Sequence, residues 1–195
     1  MMKLRLLLAT LLLCTSSLAR AATSYTDATN YLLMLYGVCL GTVGNPSAIA
    51  AFFQEQGTEK LTWEQAAPFL GGNAGNVWPA DTPFGQYMLA ARNDGLCTVQ
   101  ARWADVQEVR EAFFELVERL HQESGGKLVK ASDATMEKGR QLVSFNLAPP
   151  ALKGYHLNLS ALTMESTSTD LQVVLAFKAV SGDMPAAKEA DKKQK

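Results

Sequence analysis

QYMLAARNDGLCTVQARWADVQEVREAFFELVERLHQESGG, residues 86–126, is the stretch whose reading decides the fold. Asn93-Asp94-Gly95 separates two runs of strand length, Gln86 to Arg92 and Leu96 to Trp103. Glycine and its polar neighbours accept the positive φ that a tight hairpin turn demands. The second run alternates Cys97, Val99 and Ala101 with Thr98, Gln100 and Arg102, which predicts the Cys97 sulfur on the inner face of a sheet. From Asp105 the apolar period changes. Val106, Val109, Phe113, Leu116, Val117 and Leu120 form one helical stripe, Asp105 and Glu108 make a capping-box-like start, and Gly125-Gly126 supplies the stop. Glu111, Glu115, Glu118, Arg119 and Gln122 fall on the opposite face, where a solvated surface accounts for them.

Downstream of this helix, four strands are predicted: Leu128 to Thr135, Leu142 to Leu147, Tyr155 to Met164 and Leu171 to Val180. Their links are short and polar, which favours antiparallel pairing over crossovers. Pro149-Pro150 separates two of them, since neither proline can donate to a ladder.

Upstream the chain reads as three small helices. Ser24 to Leu40 carries Tyr25, Leu32, Leu33, Leu35, Tyr36 and Leu40 and runs into Gly37, Gly41 and Gly44. Asn45-Pro46 starts a second helix, with the Asn side chain capping free N–H groups and Pro presetting φ; Ile49, Phe52 and Phe53 are on its buried face, and Gly57 stops it. A third spans Thr62 to Phe69, with Thr62 and Gln65 at capping-box spacing. Residues 71–83, rich in Gly, Asn and Pro, are expected to be a loop or the joint between two subdomains. No Lys-Ser/Thr follows these glycines and no strand is predicted before them, so a nucleotide cradle is not indicated.

The expected fold is therefore α+β: an N-terminal helical segment, then an antiparallel sheet covered by one long helix, in the order ββαββββ. The expected divisions are a signal peptide at 1–21, a helical segment at 22–70, the joint at 71–83, a sheet-and-helix region at 84–181 and a disordered charged tail at 182–195.

The signal peptide rests on Lys3 and Arg5 ahead of an apolar run from Leu6 to Leu13, then small residues at Ala19 and Ala21. Cleavage is expected after Ala21. Thr15, Ser16, Ser17 and Arg20 end the run short of the roughly 20 apolar residues a membrane helix needs. Lipidation at Cys14 is disfavoured because Leu13 stands where that pathway wants a small residue. Losing Lys3, Arg5 and Arg20 with no acid moves the formal net charge from −1 to −4. Such a chain, with no basic cluster in its body, is ill suited to nucleic acid. A periplasmic or secreted location follows, in which Cys39 and Cys97 are expected to pair; two separate buried thiols are the alternative.

Phe69-Leu70-Gly71-Gly72, Gly75, Trp78, then Leu89 to Cys97 reading LAARNDGLC, with Val99, Ala101, Ala104 and Asp105, resemble a family of uncharacterised exported proteins and lipoproteins of proteobacteria. Cys39, Asn45-Pro46 and Ile49 fit the same pattern. The resemblance covers roughly residues 30 to 120 and implies export and shared architecture; the family has no established activity.

The residues offer little chemistry. His121 falls late in the long helix, where an imidazole complements the helix dipole, and His156 is expected at the surface of a strand. No Cys-x-x-Cys or His-x-x-x-His spacing suggests zinc. Asp81, Asp94, Asp105 and Asp133 each have a turn or cap explanation, and Ser160 falls in a strand rather than a strained nucleophile turn. No catalytic residues, metal ligands or cofactors are assigned. Trp78, Phe84 and Tyr87 cluster around the glycine-rich joint; core packing is the expected role for each, and for Trp103, and the three become the possible contact surface if Trp78 or Tyr87 is exposed. The expected function is that of an exported, non-enzymatic interaction protein: an envelope accessory factor, a secretion-system component or an inhibitor of an effector, with another envelope protein as partner. The alternative is a domain that binds a small ligand or an envelope polymer, with a periplasmic hydrolase third.

Overall fold

The computed structural model describes residues 27–165, 171–182 and 184. The expected signal peptide, the start of the first helix and the charged tail from residue 185 lie outside them. The fold is α+β, with every strand pairing antiparallel. In chain order it comprises α1 (27–41), α2 (Pro46–Glu55), α3 (Trp63–Leu70), β1 (Gly75–Pro79), β2 (Gln86–Arg92), β3 (Cys97–Arg102), α4 (Val106–Ser124), β4 (Lys127–Thr135), β5 (Arg140–Ala148), β6 (Tyr155–Met164) and β7 (Val173–Ser181).

The seven strands form one sheet in the order β1-β2-β3-β7-β6-β5-β4. Two meanders, β1–β3 and β4–β7, therefore meet where β3 pairs with β7, Val99 opposite Leu175 and Cys97 opposite Phe177. The helix α4 carries the chain between β3 in the middle of the sheet and β4 at its far edge. Its buried residues, Val109, Phe113 and Val117, fall on one stripe. Asp105 caps it by accepting from Glu108 N–H at 2.9 Å, and Gly125 ends it in the left-handed region.

The period-two patterning sets the core. Leu89 and Ala91 of β2, Val99 and Ala101 of β3, Val173, Leu175 and Phe177 of β7, Leu159 and Ala161 of β6, and Val143, Phe145 and Leu147 of β5 all turn to one face. That face is not covered by α4 alone. Leu32, Leu35 and Tyr36 of α1 and Ile49 and Phe53 of α2 join the same cluster. Phe113 sits where the helices converge, its ring 6.3 Å from both Tyr36 and Phe145. The Tyr36 hydroxyl donates to the Ala176 carbonyl of β7 at 2.9 Å, and burial raises its pKa above that of a free phenol.

Cys39 of α1 and Cys97 of β3 form a disulfide, with their Cα atoms 5.7 Å apart. Both residues are fully buried, so the bond ties the N-terminal helices to the centre of the sheet. A second close approach lies beside it. A Cβ on Gly44, whose φ is +68°, would stand 2.6 Å from the Gly95 carbonyl oxygen, so the α1–α2 turn rests directly on the β2–β3 hairpin turn.

Residues 71–83 are not a joint between subdomains. They contain β1, which pairs with β2 from Gly75 opposite Arg92 to Pro79 opposite Met88. A Cβ at Gly75 would meet the Ala91 carbonyl oxygen at 2.4 Å, and Pro79 is tolerated because it ends an edge strand. Val77 and Trp78 point to opposite faces, and both are buried. Trp78 joins the main core, whereas Val77 joins Ala66, Leu70 and Ala90 in a smaller cluster beneath α3 on the other face. The observed strand order along the chain is thus βββαββββ, one strand more than the sequence predicts.

Candidate functional site

Trp78, Phe84 and Tyr87 do not assemble into a contact surface. Trp78 lies flat on Phe53, with ring centroids 4.8 Å apart and planes 9° from parallel, and is 3% exposed. Tyr87 is 1% exposed: its hydroxyl donates to the Ala28 carbonyl at 3.2 Å, and burial raises its pKa. Phe84 alone of the three presents its ring to solvent, in the turn between β1 and β2. The reason is the unforeseen β1: a residue that the composition places in a loop instead points into a sheet.

The nucleophile and base candidates are also accounted for by the fold. Cys39 and Cys97 are both oxidised. His121 holds the Gly126 carbonyl through Nδ1 at 2.7 Å, in the last turn of α4. His156 is buried rather than at the surface, because the chain leaving β7 bends back at Gly182, whose carbonyl lies 3.4 Å from Nδ1. Asp94 accepts from Arg92 and Lys178, and Asp133 from Lys130. Among the described residues, no three His, Cys, Asp or Glu side chains come together as metal ligands would.

Among the concavities lined by described residues, two lie at the end of the sheet where β3 leaves and β7 enters. The first is a cleft of about 400 Å³ on the face that carries α3. Pro68 and Phe69 of α3 form one wall, and Met88 of β2 and Gln100 of β3, which are cross-strand partners, form the floor. Leu171 stands opposite, with Gln86 and Arg102 at the ends of their strands. Gln100 is 9% exposed, and its Nε2 donates to the Phe69 carbonyl and to Thr98 Oγ1, both at 3.3 Å.

The second, of about 450 Å³, opens around Trp103, Gln107, Glu165 and Gln172. Gln172 fixes the strand-to-helix corner: its Oε1 accepts from Ala104 N–H at 2.8 Å and its own N–H donates to the Ala101 carbonyl. Trp103 is 56% exposed, contrary to the core role expected of a large ring, and its φ is +62°. That left-handed backbone swings the indole away from the sheet. The Arg102 guanidinium lies over the ring, 4.8 Å from its centroid.

None of these cleft residues is expected from the sequence as a site residue: Phe69 enters only through the family resemblance, Gln100 and Arg102 as the outer face of a strand, and Trp103 as a core ring. A signal was present in QYMLAAR: Met88 and Ala90 are apolar on the face opposite Tyr87 and Leu89, which means that both faces of β2 are covered. Comparison with family models, with curated proteins and with solved structures gave no match.

Proposed function

We propose that this chain is an exported protein of the cell envelope that acts by binding another protein rather than by catalysis, with the Arg102–Trp103 corner as its contact point. The observation that carries the reading is an exposed tryptophan held in a left-handed backbone beside an arginine. A non-glycine residue in that region costs of order 1–3 kcal/mol and persists where surrounding structure imposes it, often at binding sites. Tryptophan and arginine are also the side chains most enriched among those that dominate binding energy. Placement outside the cytoplasm is supported by the charge-then-apolar N-terminus and by a buried disulfide of the kind that oxidising compartments maintain. Among the described residues, no helix is long and apolar enough to cross a membrane.

The reading is tested in cells with a photo-crosslinking residue placed at Trp103 or, as a control, at Met136, an exposed side chain on the β4–β5 link. A discrete adduct with one envelope protein from position 103 alone supports it. A protein that crosslinks equally from both positions, or that turns over an envelope substrate as a monomer, overturns it. Fractionation and N-terminal sequencing check export, with Ala22 the expected first residue.

A further inference from the structure

The cleft beside α3 has a feature that protein packing alone does not use. The Phe69 carbonyl can only accept, so the Gln100 amide must turn its nitrogen toward α3. Its Oε1 then faces away from the helix, and it makes no hydrogen bond with any described residue. An amide that is nine-tenths buried, oriented by two bonds on one side and left with a free acceptor on the other, is a group arranged for an incoming donor.

Its surroundings define what that donor can be attached to. Beside Gln100 on the floor lies the thioether of Met88, with the Phe69 ring as one wall and Leu171 opposite. Sulfur and ring contacts of this kind favour a flat aromatic body. Among the described residues, no acidic side chain lines the cleft, so none there pairs with a cation. The volume, about 400 Å³, is that of a small-molecule site rather than of a groove for a long segment. The wall is rigid: Ala66 and Leu70 of α3 are buried on Val77 and Ala90, and Gln65 bonds back to the Thr62 N–H at 3.1 Å.

We infer that this cleft binds a small, uncharged aromatic molecule that carries one N–H or O–H donor, with the ring between Met88 and Phe69 and the donor on Gln100 Oε1. The cleft adjoins the Arg102–Trp103 corner through Arg102, but the inference rests on other residues, Phe69, Met88, Gln100 and Leu171, and not on the protein-binding reading.

The test is an amide-resolved NMR titration of the disulfide-intact exported form with indole and, separately, with 1-methylindole, which keeps the ring and lacks the donor. Indole is expected to shift the Phe69, Met88 and Gln100 signals saturably, and 1-methylindole to bind about tenfold more weakly, the effect of one lost hydrogen bond. Met88→Trp, which fills the floor, should abolish both while the spectrum stays dispersed. If that variant does not fold, Leu171→Trp fills the cleft from its rim. Absence of a saturable shift at these residues, as for a cleft filled only by a protein partner, overturns the inference. So does equal affinity for the two probes, or indole binding undiminished in a folded variant with the cleft filled.

Discussion

Lys178 of β7 donates to Asp94 Oδ2 at 3.1 Å, across 84 residues of sequence, so the hairpin turn of the first meander is held by a strand of the second. Arg92 reaches the same carboxylate through Nε and a second nitrogen, and the Leu96 N–H adds a fourth donor. These donors, Arg92 first, hold the Asp94 pKa at about 2, below its ordinary 3.8.

A depressed carboxylate pKa contributes stability above the unfolded value, and that contribution is lost as pH falls through the folded value. The window is therefore from about pH 4 down to about pH 2. Because Asp94 is well exposed, the effect is screened and small. The wild-type protein should lose its advantage in Tm over Asp94→Asn across this window, and less markedly in high salt. A pH-independent difference between the two would show that the carboxylate charge has no part in holding the turn.

The Cys39–Cys97 bond closes a loop with a sequence separation of 58. By chain-entropy estimate such a loop is worth about 4 kcal/mol through restriction of the unfolded state. The double variant Cys39→Ala, Cys97→Ala is expected to lose stability of that order in urea denaturation. Reduction of the native protein should act in the same direction. A double variant within about 1 kcal/mol of wild type would mean that burial of α1 alone secures the helices to the sheet.

Two buried hydroxyls should respond oppositely to removal. Thr163 is 2% exposed, and its Oγ1 has no hydrogen-bond partner among the described residues. Thr163→Val keeps the β-branched shape and removes an unsatisfied polar atom, so stability should hold or rise by up to about 1 kcal/mol. Tyr36→Phe instead deletes the bond to the Ala176 carbonyl and should cost about 1 kcal/mol. Equilibrium unfolding of the two variants checks both signs.

How far the sequence led can be judged from single residues. Cys97, Val99 and Ala101 turned inward as their alternation requires, and Cys97 met Cys39. Asp105 and Gly125 bound α4 as their cap chemistry dictates. Long, strongly periodic elements are legible because each residue repeats the same message. β1 was not, because five residues with one apolar side chain for each face carry no period, and their glycine and proline are turn formers until a neighbouring strand makes use of them. The pairing of β3 with β7 was equally hidden, since it joins segments some 75 residues apart and no local pattern encodes a partner. The clefts went unseen for the same reason: Phe69, Met88, Gln100 and Leu171 meet only after α3 folds back over β2 and β3.

The left-handed backbone at Trp103 offers a prediction that separates strain from function. In ordinary exposed chain, alanine is more stabilising than glycine, because glycine has more conformational freedom to lose. At φ +62° the order should invert, since glycine alone adopts that conformation without penalty from a Cβ. Both Trp103→Gly and Trp103→Ala delete the same ring and the same contact with Arg102, so the difference between them reports the backbone term alone. Glycine should be the more stable of the pair by about 1 kcal/mol in urea unfolding. If the indole is the anchor of a partner interface, both variants should lose crosslinking to that partner alike, although one is stabilised relative to the other. Alanine more stable than glycine would mean that the corner relaxes once the ring is gone, and that the indole itself imposes the conformation.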